Sequence, residues 1–307
     1  MPPGHVAFVG VTVAKIAAGV GVNDGVGVIE AVGVILEVGV CVGVIVRVAV
    51  IDGVGVIDAV GVIVAVIDGV VHVGLTDDQL KAIANRDDIA KASSRDLAII
   101  AATGKSAATT VAATAHLAAL AGIRVFATGG LGGVHRDANE TFDESADLTA
   151  LSQLDITVVC AGVKSILDVA ATLERLETLA IGVVGYKTTA FPGFYLTDSG
   201  FTIEHQVESA AEIAKIIHSR EALKTNKSAL VVANPVKHEM DRKRHDAILK
   251  SGLAGAHKNG VIGKAVTPFL LEHFHTASEG ESLTVNIEII KSNSALAADI
   301  AVAKQHQ

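Results

Sequence analysis

Between Phe126 and Asp168 the chain gathers residue types that handle charge: the run GGLGGVHR, the run DESAD and, after VVCAG, Lys164. Four glycines after an apolar run let backbone amides approach an anion closely, and His135 and Arg136 add charged donors. A tight turn needing positive φ would use glycines in the same way. The run is neither a Walker loop nor a GxGxxG that opens a helix. In DESAD, Asp143, Glu144 and Asp147 precede a helix expected to start near Leu148. Ser145 or Asp147 would serve as the cap of that helix. The same carboxylates suit a hard cation such as Mg²⁺ or Mn²⁺, which few protein oxygens and several waters would hold. Lys164 reads as the opening of a helix, where the dipole disfavours a cation and partial burial would expose a neutral, nucleophilic amine. The competing reading is a surface lysine whose stem covers a strand. Lys91, in KASSRDL with Arg95 and Asp96 nearby, reads alone as a solvated helix charge.

Elements must bring these groups together. Thr76 is expected to cap an amphipathic helix in HVGLTDDQLKAIAN, with acidic residues in its first turn. Ala107 to Ala121 reads as a small-residue helix and Ile123 to Thr128 as a buried strand ending at glycines. Further strands are expected at Ile156 to Cys160, Ile181 to Tyr186 and Ala229 to Ala233. Helices are expected at Ser165 to Leu179, Glu208 to Leu223 and Leu283 to Lys304. Such alternation implies an α/β layer architecture with a largely parallel sheet, whose ligands sit beyond the carboxyl ends of the strands. Three strand ends lead into GGLGGVHR, AGVKS and NPVKH.

The stretch from about residue 18 to 71 repeats units such as GVGVIEAVGVILEVGV and VIDGVGVIDAVGVIVAVIDGV. Valine and isoleucine favour strands, and the Asp-Gly pairs suit hairpin turns. The stretch fits no standard solenoid period. It is read as the first strands and helix of one domain rather than as a separate module.

At 307 residues, half of them hydrophobic and none tryptophan, the chain can bury a substantial core of Ala, Val, Ile and Leu. A formal charge of −8 without a basic stripe argues against nucleic-acid binding. Cys41 and Cys160 have no zinc or disulfide spacing, so Cys160 is expected to be a small buried hydrophobe in a reducing compartment. Charges such as Asp24, Glu30, Glu37 and Arg47 interrupt the apolar amino-terminal stretch before a span of about 20 residues accumulates. With no signal-peptide pattern, the expectation is a soluble protein without a membrane partner.

From about Val71 onward the chain resembles the pseudouridine-5′-phosphate glycosidases, also described as the indigoidine synthase A-like family. The resemblance rests on VHVGLTDDQL, KASSRDL, ATTVAAT, AGIRVFATGGLGGVHR, TFDESADL, VVCAGVKSILD, LVVANP, GVIGKAVTPFLL and SLTVNIEIIKSNSALAADIA, in family order. It implies a single domain over residues 1–307 with a three-layer α/β/α sandwich fold, in a cytoplasmic homotrimer. The implied activity is reversible cleavage of the C–C glycosidic bond of pseudouridine 5′-phosphate to uracil and ribose 5-phosphate. Lys164 matches the family's imine-forming nucleophile and Asp143 the ligand of one Mn²⁺ per subunit, with Mg²⁺ or another divalent ion as alternatives. Lys91, Val111, His135, Ser145, Ala146, Asp147 and Asn286 match substrate contacts. The family's acid lies in a segment like ALESTIISHGMP, which is absent here. A gapless count back from VHVGL puts Glu30 at that position, with Glu37 as fallback, and Ser94 stands where arginine is usual. A sugar-phosphate-binding homologue with impaired catalysis and an imine-forming lyase for another phosphosugar are the alternative functions.

Overall fold

The computed structural model describes residues 45–51 and 57–305. Its strands are β1 (Ile45–Ile51), β2 (Ile57–Ile67), β3 (Val70–Val73), β4 (Ala90–Ala92), β5 (Ala107–Thr109), β6 (Val125–Ala127), β7 (Thr157–Cys160), β8 (Gly182–Tyr186), β9 (Gln206–Val207) and β10 (Leu230–Ala233). They form one sheet in the order β4-β5-β2-β1-β6-β7-β10-β8-β9, and β3 pairs with β2. The helices are α1 (Asp77–Ala84), α2 (Leu97–Ala102), α3 (Val111–Leu120), α4 (Ala138–Thr141), α5 (Ala146–Leu151), α6 (Val169–Thr178), α7 (Ala210–Leu223), α8 (Arg242–Lys258), α9 (Val266–Ala277) and α10 (Glu281–Gln305).

The Val/Gly stretch supplies the antiparallel part of this sheet. β1 and β2 pair antiparallel from Ile45 opposite Ile63 to Ile51 opposite Ile57. β2 then turns back into β3 through Asp68 and Gly69, whose φ values of 48° and 80° are those of a primed hairpin turn. The parallel part lies on either side: β6-β7-β10-β8-β9 in one block and β4-β5 in the other. The sheet is therefore mixed, with its parallel strands split by the hairpin.

Alternation along each strand divides the core into layers. Phe126, Val158 and Val231 pack with Leu117 of α3, Leu148 of α5, Leu176 of α6 and Ile248 of α8. Their neighbours Val125, Val159 and Val232 face the other way, onto Ile213 and Ile217 of α7 and Leu296 and Ile300 of α10. In β2, Val64 and Val66 join the first layer while Ile63 and Ala65 join α1. Val64 and Val66 are fully buried, each contributing about 1.5–3 kcal/mol relative to exposure. The result is the three-layer α/β/α sandwich. No helix among the described residues is long and apolar enough to cross a membrane.

Local chemistry sets the element ends. Thr76 caps α1 in a reciprocal box: its hydroxyl accepts from Gln79 N–H while the Gln79 side chain accepts from Thr76 N–H. Two expectations need correction. The small-residue helix begins at Val111, because Ala107–Thr109 are drawn into the sheet between β4 and β2, and Thr110 caps the helix from there. Likewise α6 begins at Val169, capped by Asp168 through Ala171 N–H at 3.0 Å, rather than at Ser165.

Candidate active site

The carboxyl ends of β4, β5, β6 and β7 open into one cavity of about 630 Å³, closed on its far side by α9 and the start of α10. The glycine-rich segment after β6 and the segment after β7 extend the parallel ladder beyond the strands. Ala161 N–H donates to the Gly129 carbonyl (2.8 Å), Leu131 N–H to Gly162 (2.9 Å) and Lys164 N–H to Leu131 (3.2 Å). Lys164 thus stands on backbone pinned to the glycine-rich segment, just before a turn. It does not open a helix, and the helix-dipole argument for an activated amine does not apply to it. The Lys164 ammonium lines the cavity, and it makes no ion pair or hydrogen bond with another described residue.

Asp147 organises the opposite wall. It is buried, and its two oxygens accept from Ala112 N–H (2.8 Å) and Gly132 N–H (2.9 Å), joining the first turn of α3 to the glycine segment. The Ser145 hydroxyl caps α5 by accepting from Asp147 N–H at 3.2 Å. Gly132 has no room for a side chain: a Cβ there would lie 2.2 Å from Ser145 Oγ and 2.7 Å from Asp147 Oδ2. The glycines therefore serve close packing more than an anion nest. Leu131, Gly132, Val134 and His135 N–H all donate within the protein.

Positive charge comes from side chains instead. His135 is half-buried with Nδ1 3.8 Å from Asp143 Oδ2. Burial pushes its imidazole below the ordinary value; Asp143 opposes this, and the Lys91 and Lys164 charges reinforce it. All four groups line the cavity, and the other three act on His135. Lys91 and Ser93 lie two residues apart at the end of β4, and both face the cavity. The Ser93 hydroxyl is buried without a partner among the described residues, a polar group that a ligand could satisfy only by reaching it through this wall. The Asp143 carboxylate accepts no hydrogen bond from another described residue.

Nine of the sequence candidates line this cavity: Lys91, Val111, His135, Asp143, Ser145, Ala146, Asp147, Lys164 and Asn286. Glu30 and Glu37 lie outside the described residues. Arg136 and NPVKH depart from expectation. The Arg136 guanidinium donates to the Ser165 and Ile166 carbonyls and lines a different cavity. Asn234 is held by Ser292 and Asn293, and His238 pairs with Glu288 on the surface. Cys160 is fully buried, and burial pushes its thiol up to about 12, as expected of an inert hydrophobe.

Phe194, Tyr195, Glu272 and His275 were not foreseen as cavity residues. Phe194 holds φ at 64°, unusual for a bulky residue, with its N–H donating to Ala161 O (2.9 Å) and its ring in edge contact with Tyr195 (4.5 Å). The only local signal was Pro192-Gly193, a turn.

Comparison with known proteins identifies the family. The family model for indigoidine synthase A like protein matches residues 46–303. A pseudouridine-5′-phosphate glycosidase of Salinispora tropica is 57% identical over 242 residues, which is 78% of this chain and 75% of that protein. The solved prealnumycin C-glycosynthase AlnA, in complex with ribulose 5-phosphate, superposes with a TM-score of 0.76 at 28% identity, covering 90% of this chain and 87% of that one. An indigoidine synthase A-like protein from Thermotoga maritima gives 0.73 at 33% identity over 91% and 87% of the two chains.

Proposed function

The chain belongs to the indigoidine synthase A like family, and from that premise we propose that it is a glycosidase that reversibly cleaves the C–C bond of pseudouridine 5′-phosphate, giving uracil and ribose 5-phosphate. The observation that carries this reading is the single cavity where Lys164, charge-unpaired among the described residues, meets Lys91, His135, Asp143 and Asn286.

The chemistry needs such an amine. Carbon 5 of uracil is a poor leaving group, so protonating an oxygen, as ordinary glycosidases do, does not help. Lys164 Nζ bonds to C1′ and the C1′–O4′ bond breaks, O4′ taking a proton. The nitrogen lone pair then forms the iminium as the C1′–C5 bond breaks, and its electron pair takes a proton at uracil C5. Water adds to the iminium carbon and returns the free amine with ribose 5-phosphate. His135, whose imidazole burial pushes below the ordinary value, suits uptake of the proton that Lys164 sheds. Lys91 and the unpartnered Ser93 hydroxyl suit the phosphate, which anchors the substrate away from the breaking bond. We assign the proton for C5 to Glu30.

Among the described residues no group of three or more His, Cys, Asp and Glu side chains could hold a metal ion. The open Asp143 carboxylate nevertheless fits one Mn²⁺ per subunit, or Mg²⁺ or another divalent ion, with water completing the shell. Such an ion supplies positive charge beside developing oxyanions. We further propose one domain over residues 1–307, assembled as a cytoplasmic homotrimer.

Incubation with pseudouridine 5′-phosphate and Mn²⁺ should release uracil. Borohydride should trap a ribose 5-phosphate adduct on Lys164, and Lys164→Ala should cut turnover by at least about 10³-fold, as loss of a covalent nucleophile does. A folded protein that releases no uracil, or an adduct on another lysine, would overturn the reading. A second reading, an imine-forming lyase for another phosphosugar, draws on the relative solved with ribulose 5-phosphate; a panel of phosphosugars separates the two.

A further inference from the structure

A second, smaller cavity of about 210 Å³ lies back to back with the first. The two share their walls: His135 lines one and Arg136 the other, and the same holds for Lys164 and Ser165, and for Tyr195 and Leu196. Arg136 and Arg242 both line the smaller cavity, and neither forms an ion pair with a described carboxylate. Their guanidiniums donate only to backbone carbonyls, Arg136 to Ser165 and Ile166, and Arg242 to Asp198. Two residues that line it carry buried polar atoms without a partner among the described residues: Ser165 Oγ, on a residue 7% exposed, and His245 Nε2, on a residue 2% exposed.

The imidazole shows what is missing. His245 Nδ1 lies 2.9 Å from Asp246 Oδ1, so the Nδ1 proton is donated there and Nε2 of the neutral ring is a bare acceptor. Two carboxylates also line the cavity, each already engaged: Asp246 with His245, and Asp168 with Ala171 N–H as the cap of α6. An occupant must offer oxygens to two guanidiniums and a hydrogen to Nε2. Hydrogen phosphate has both, and sulfate has no such hydrogen. We propose that this cavity is a binding site for a protonated oxyanion of the hydrogen-phosphate class, apart from the lysine-bearing cavity and independent of the glycosidase reading.

Calorimetric titration of the full chain with inorganic phosphate at pH 7.5 tests it. A class of sites should persist in Lys91→Met and weaken at least tenfold, about 1.4 kcal/mol, in Arg242→Gln and in Ser165→Ala. The Ser165→Ala change removes an unpartnered hydroxyl and should leave the fold intact, so it serves where Arg242→Gln does not fold. Sulfate should bind at least tenfold more weakly than phosphate. Glycerol 2-phosphate in place of phosphate distinguishes an ester from the free ion: an equal loss in both variants names the ester as occupant, and no binding names the free ion. Phosphate titration unchanged in both variants, or sulfate binding as tightly as phosphate, would overturn the proposal. Failure of Lys164 trapping would leave it standing.

Discussion

His245 belongs to no motif, yet its ring is wedged against Tyr195 (6.4 Å between centroids) and Phe274 (5.3 Å) with almost no exposure. Burial pushes it below the ordinary histidine value, with Arg242 and Arg136 reinforcing and Asp246 opposing. His135 and His72 are lowered in the same direction, also by burial. A histidine whose folded pKa lies below its unfolded one stabilises fully above about 6.5. That contribution is lost as pH falls through the folded value, because the unfolded chain takes the proton first. In phosphate-free buffer the urea midpoint should therefore drop from pH 7.5 to pH 5. His245→Gln should flatten the slope, and a midpoint that rises on acidification would contradict this account. Asp147 teaches a related lesson: an acid that reads as a ligand-binding group spends both oxygens on backbone amides, where desolvation demands partners.

At the scale of elements, the glycine-rich segment is a joint between two strand extensions and two helix starts. Val134 N–H reaches Thr172 Oγ1 of α6 at 2.9 Å, and Ser145 N–H reaches the Gly133 carbonyl at 2.9 Å. Gly132→Ala would drive a methyl into Ser145 and Asp147, which are held by their own hydrogen bonds and cannot withdraw cheaply. We expect a loss of about 1–3 kcal/mol by chemical denaturation, with activity lost along with the wall geometry. Wild-type stability in this variant would show that the joint is softer than its contacts imply. The same segment explains the place of Lys164. Hydrogen bonds with the Gly129–Leu131 backbone pin residues 161–164 beside the glycine-rich segment, and α6 starts only where Asp168 can cap it.

In the whole molecule, α10 ties the layers together. Val285 and Ile289 pack with the cavity side of the sheet, Leu296 and Ile300 with the opposite face, and Asn286 stands at the cavity beside Gly129. β1 and β2 sit between the two parallel blocks, so the described part of the repetitive stretch is built into the middle of the sheet. The proposed trimer is a statement at this scale, and sedimentation equilibrium should return three times the 31.4 kDa chain mass. A monomer at micromolar concentration would remove it. Phe142, 86% exposed, and Ile262, 80% exposed, are large apolar residues on the surface of the chain.

The layered α/β class, the Thr76 cap, the Asp-Gly hairpin turn and the histidine and acidic candidates near the glycine-rich run were legible in the chain, because each rests on local chemistry or on a period of a few residues. The resemblance added Lys91, whose own surroundings read as a solvated charge, and Val111 and Asn286, which carry no chemical signal of their own. Other features depend on partners far away in sequence. Ala107–Thr109 became a strand because β4 and β2 flank it, and Arg136 left the lysine's cavity for the carbonyls of Ser165 and Ile166. Phe194 and Tyr195 joined the cavity through a backbone turn anchored on Ala161. Spacing along the chain fixes which groups can share a helix turn or a strand face. Which strand end each group shares, and whether its hydrogen bonds are spent on the protein or left for a ligand, was decided only when the layers closed.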